Sequence, residues 1–113
     1  MNEELDIYGF GSFFSEDTKY QDIDLLIIHK SAEYKSCQLA IWCKRMLISK
    51  IDKADITLLT KNEEYQHSFL MKSNALIIGK VCNASAEDDI NLILKKIKQT
   101  EDIKFKQLCS DPI

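Results

Sequence analysis

Asp22-Ile23-Asp24-Leu25-Leu26-Ile27-Ile28-His29 is the stretch on which the reading of this chain turns. Its short, β-branched apolar run reads as a buried strand rather than a helix. Side chains alternate faces along a strand. Asp22 and Asp24 therefore point one way with Leu26 beyond them, while Ile23, Leu25 and Ile27 face the opposite layer. Upstream, the apolar run from Leu5 to Phe10 ends in Gly9-Phe10-Gly11-Ser12, a first strand entering a tight turn. The polar residues from Ser15 to Gln21 form the loop between the two strands.

Downstream, helices and strands alternate. Leu39, Trp42, Cys43, Met46 and Leu47 share one face of a helix expected from Ala32 to Ser49, with Ser31 in position to cap it. Ala54 to Thr60 is strand-like, and Thr60-x-x-Glu63 matches a capping box that opens a helix to about Lys72. Ala75 to Ile78, followed by Gly79, reads as a fourth strand. Ser85-x-x-Asp88 resembles another helix start, and Ile90, Ile93, Leu94 and Ile97 line a helix to roughly Thr100. The tail is mixed, and Pro112 marks a frayed end. The expected fold is α/β of the α+β kind: one domain over residues 1–113, with a mixed sheet of about four strands and helices packed on it.

Composition narrows the function classes. The 113 residues are 45% hydrophobic and 29% charged, which favours a packed core over disorder. Fifteen Lys plus Arg against eighteen Asp plus Glu give a net charge of −3, whereas a general nucleic-acid binder is usually basic. The lysines at 95, 96, 98, 104 and 106 read as a solvated helix face and tail. Four cysteines without a CxxC pair and only two histidines argue against structural zinc. No leader segment is visible, and no apolar run approaches the ~18–20 residues of a membrane helix. A reduced, cytoplasmic protein is expected, its cysteines acting as small core residues.

Chemistry concentrates around the aspartates. Two carboxylates side by side repel unless protonated, solvated or bridged by a cation. Magnesium prefers such oxygen ligands. Asp55, near the start of the next strand, shares a face with Thr57. If the two strands are neighbours, three carboxylates converge at one sheet end and suit a two-metal site. The plain alternative is solvated charge at strand entrances. The turn adds to the metal reading, since a glycine permits close backbone approach and a serine hydroxyl with turn amides holds phosphate oxygens. It is neither a dinucleotide fingerprint, because Phe14 stands at the third glycine position, nor a P-loop, because no Gly-Lys-Ser/Thr follows. Trp42 reads as core, Tyr20 as a loop aromatic, and His29 as a strand-end residue.

Gly11-Ser12, then Asp22-Ile23-Asp24-Leu25 with its apolar run, then Asp55 resemble the nucleotidyltransferase superfamily that includes DNA polymerase β. The resemblance spans about residues 5 to 80, and in size it is nearest the minimal nucleotidyltransferases. It implies that Gly11 and Ser12 hold a nucleoside triphosphate, with ATP favoured. Asp22, Asp24 and Asp55 would hold magnesium, and Asp55 would also deprotonate the acceptor hydroxyl. The implied reaction moves a nucleoside monophosphate onto a hydroxyl of a partner protein or small molecule. The family's small members pair with a helical HEPN-type partner, so an antitoxin-like subunit or a homodimer is expected, with no membrane or nucleic-acid partner. Where relatives carry arginine and glycine after Gly-Ser, this chain has Phe13-Phe14-Ser15-Glu16, and Lys19 is the nearby replacement cation. That departure motivates the alternative of a catalytically degenerate binding module.

Overall fold

In the computed structural model, residues 2–110 are described, the side chains of the last two of these excepted. Four seven-residue strands, β1 (Glu4–Phe10), β2 (Ile23–His29), β3 (Ala54–Thr60) and β4 (Leu76–Cys82), form one sheet in the order β3-β2-β1-β4. β2 and β3 run parallel, with α1 (Tyr34–Lys50) as the crossover between them. β1 pairs antiparallel with both β2 and β4. The expected mixed sheet of about four strands is therefore present.

Alternation within the strands builds the core. Leu5 and Ile7 of β1, Ile23, Leu25 and Ile27 of β2, and Ile56 of β3 share one face. Leu39, Ala40, Cys43 and Leu47 of α1 pack on that face with Ile90, Ile93 and Ile97 of α4 (Ala86–Ser110). Burying a side chain of this size is worth about 1.5–3 kcal/mol, so this layer dominates stability. The opposite face is covered only in part. There α2 (Lys61–His67) packs against β2 and β3, and Leu26 and Ile28 are buried. Phe69 of α3 (Phe69–Ser73) meets the ring of Phe10 edge-on at 5.2 Å.

Several boundaries differ from the sequence reading. The capping box at Thr60 and Glu63 forms as expected, but the helix it opens stops at His67. Ser68 turns left-handed (φ 51°), and a separate short helix follows, which swings Phe69 toward Phe10. Ser31 is not the cap of α1. Glu33 occupies that position, and the Ser31 hydroxyl accepts from the Glu33 amide instead. β4 runs on through Cys82, with a bulge opposite Ile7 and Tyr8. α4 continues to Ser110 rather than ending near Thr100. Lys104 explains part of that extension: it is only 5% exposed, not solvated with its neighbouring lysines. Trp42 is partly buried against the core. The expected fraying at Pro112 lies outside the described residues.

Candidate functional site

The site grows from the end of β1. After Phe10 the chain turns at Gly11, whose φ of 77° and ψ of −167° form a combination that side-chain-bearing residues rarely adopt. A Cβ on Gly11 would also overlap Oδ2 of Asp24. Glycine is thus required twice here, once by conformation and once because the backbone lies against a carboxylate. Ser12 then opens a single 3-10 turn, Ser12–Phe14, closed by the Phe14 amide donating to the Gly11 carbonyl at 3.2 Å.

Two aromatic residues fix this turn. Phe13 is fully buried and meets both Phe14 (4.9 Å) and Tyr20 (4.7 Å) edge-on. The Phe14 ring lies so close over Gly9 that a Cβ there would strike it. Where the resemblance expects a basic residue, Phe13 is therefore a core plug. Tyr20, read as a loop aromatic, is the lid of that plug and partly buried.

Register brings the aspartates together. Asp24 pairs with Asp55 across the parallel β2–β3 ladder and with Phe10 across the β1–β2 ladder. All three lie on the partly covered face of the sheet. Asp22 stands one residue before β2, exposed, and Asp55 is exposed on β3. The carboxyl of Asp24 is pushed above the usual carboxylate range, first by burial, then by the charges of Asp55 and Asp22. Asp55 and Asp22 thus both act on Asp24 through their charge.

A pocket of about 630 Å³ opens beside it, lined by Ser12, Lys19, Tyr20, Gln21, Asp22 and Asp24. Three of the proposed site residues share this pocket, and Asp55 reaches it through its charge on Asp24 rather than as a wall. Lys19, Tyr20 and Gln21 are wall residues. Of these, Lys19 carried a signal in sequence as a cation near the turn and Tyr20 as an aromatic just before the acidic pair, whereas Gln21 carried none.

The donor chemistry suits magnesium: carboxylates with a hydroxyl and an amide nearby. Among the described residues, no three His, Cys, Asp or Glu side chains are gathered into a metal-holding group. The aspartates stand as separate oxygen donors rather than a preformed cage.

His29, at the far end of β2, is buried, and its Nδ1 lies 2.9 Å from the Ser36 hydroxyl. Burial holds its pKa below the ordinary imidazole value. It is a strand-end anchor, as its sequence position implied. No helix among the described residues is long and apolar enough to cross a membrane. Compared with known proteins, the chain matches no family model, no curated protein and no solved structure.

Proposed function

We infer that the chain is a magnesium-dependent minimal nucleotidyltransferase acting on a nucleoside triphosphate, with ATP favoured. The observation that carries this reading is the juxtaposition of Gly11 against Asp24, with Asp55 in register beside it and Ser12, Lys19 and Asp22 in the same pocket. Asp22 and Asp24 would hold magnesium. When bound, the ion would offset phosphate charge and ease ionisation of the acceptor hydroxyl. Gly11 and Ser12 would seat the phosphate oxygens, and Lys19 would supply the positive charge that Phe13 does not. The acceptor oxygen would attack the α-phosphorus as the bond to the β-phosphate oxygen breaks. Pyrophosphate would leave with that electron pair, and Asp55 would take the hydroxyl proton. Alignment of the reactants and charge stabilisation would supply the rate.

The acceptor is a hydroxyl of a partner protein or small molecule, presented by a second copy or by a small helical HEPN-type partner. A reducing compartment such as the cytoplasm suits the free thiols at Cys37, Cys43 and Cys82. The test incubates the chain and its co-purifying partner with magnesium and each labelled nucleoside triphosphate. Label transfer is expected, and it should vanish in Asp22→Asn and Asp24→Asn chains that keep their fold.

A second reading, a degenerate binding module of the same fold, draws on the absence of a gathered ligand trio among the described residues and on the buried Phe13. It expects no label transfer with any nucleotide, and partner binding that survives both substitutions.

A further inference from the structure

We propose that Lys104 is the positioning residue of the candidate site: from α4, its ammonium fastens the backbone of the loop that walls the pocket beside Asp22 and Asp24. The loop, residues 15–22, has no helix or strand of its own. Irregular backbone of this kind costs roughly 1–2 kcal/mol per residue to order, so something must hold it.

The Lys104 ammonium donates to the Ser15 carbonyl at 3.1 Å and to the Asp17 carbonyl. It also sits 5.7 Å from the centroid of the Phe13 ring. Lys104 forms no ion pair among the described residues, although Glu16 and Asp17 lie in the segment it grips. Its partners are two carbonyls and an aromatic face. A buried ammonium held in this way makes charge-assisted hydrogen bonds, which are stronger than neutral ones. The geometry fixes the loop one and three residues after Phe14, just ahead of the pocket wall at Lys19, Tyr20, Gln21 and Asp22.

The rest of the seam is loosely filled. A pocket of about 760 Å³ runs along it, lined by Phe14, Ser15 and Thr18 on one side and Thr100, Ile103 and Lys104 on the other. Within the loop, the Ser15 hydroxyl bonds Asp17 locally and adds no tie to α4. Tyr20 against Phe13 is the second anchor, at the loop's far end. Between these two points Lys19 is exposed. As a statement about a nucleotide pocket the proposal rests on the function inferred above. As a statement about loop order it is read without any ligand.

The experiment compares the wild-type chain with Lys104→Met by backbone NMR relaxation, in metal-free buffer. In the variant, order parameters of residues 16–22 should fall from about 0.85 to below about 0.6, while those of Leu25 to Ile28 in β2 stay near about 0.85. An unchanged loop overturns the proposal. So does an equal fall in β2, which would make Lys104 a general prop of the core. If Lys104→Met does not fold, the wild-type chain decides through its lysine ammonium spectrum. A slowly exchanging ammonium signal in contact with the Phe13 ring is expected, and its absence overturns the proposal. A failed magnesium titration of the wild-type chain would sink the function and leave the loop result standing.

Discussion

The two ends of β2 are built on opposite terms. At its start, Asp24 faces Asp55 and Asp22, and burial with their charges disfavours its ionised form. At its finish, His29 pairs with Thr60 of β3, and both are satisfied. The Ser36 hydroxyl bridges His29 Nδ1 and the Ser31 amide at 2.9 and 3.0 Å. Thr60 and Glu63 cap α2 reciprocally. One strand thus passes from like charges held close together to a closed hydrogen-bond network. The finish contributes stability, and the start gives some up.

The hardest test of that contrast is Gly11→Ala. It forces a side chain into a conformation that suits glycine and into the Asp24 carboxylate. Urea unfolding should show a loss of about 3 kcal/mol. A loss under about 1 kcal/mol would mean that the turn relaxes freely and the start of β2 is not tightly built. At the finish, Ser36→Ala strands both the Ser31 amide and His29. Thermal melts should report a loss of about 2 kcal/mol.

Acid separates the ends further. The pKa of His29 is lowered in the fold, so its contribution is present above 6.5 and is lost as pH falls through the folded value below that. His29→Gln should flatten this acid limb of a stability-against-pH curve. Asp24 runs the other way. Its raised pKa means that the fold carries no penalty from it below 3.8 and acquires one as pH rises through the folded value. Asp24→Asn should therefore stabilise the metal-free chain near neutral pH by about 0.5 kcal/mol, roughly 2–4 °C in Tm. Saturating magnesium should reverse the order, because only the wild-type chain keeps both carboxylates at the pocket.

The contrast also marks what a sequence can disclose. Alternation in Ile23 to Ile27 and the Thr60–Glu63 spacing are local signals, and the strand and the capping box both form as read. Asp55 needed a neighbour relation that no local pattern contains; the parallel β2–β3 register supplies it. The break at Ser68 was invisible because its cause is tertiary: Phe69 turns to reach Phe10 at the other end of the chain's first strand. Lys104 departs from its local pattern for a related reason. A lysine among lysines signals solvent, and only the carbonyls of Ser15 and Asp17, far away in sequence, make its burial favourable. Phe13 hid its role in the same way, since a phenylalanine after Gly-Ser looks like a lost contact until it is seen filling the core.

The strand order carries a consequence for how the chain matures. Of the four strands β1 leaves the ribosome first, yet it lies inside the sheet, between β2 and β4. One of its edges must wait, unpaired, while α1, β3, α2 and α3 are made. Until β4 emerges, a nascent chain presents that edge to any other strand nearby, a situation in which multi-element proteins tend to misassemble. The loop around the pocket waits longer still, because its fastening arrives with the second half of α4. A chain interrupted anywhere before that helix would lack the tie from Lys104 to the carbonyls of Ser15 and Asp17, so the loop beside the aspartates is fastened only after all four strands have been made.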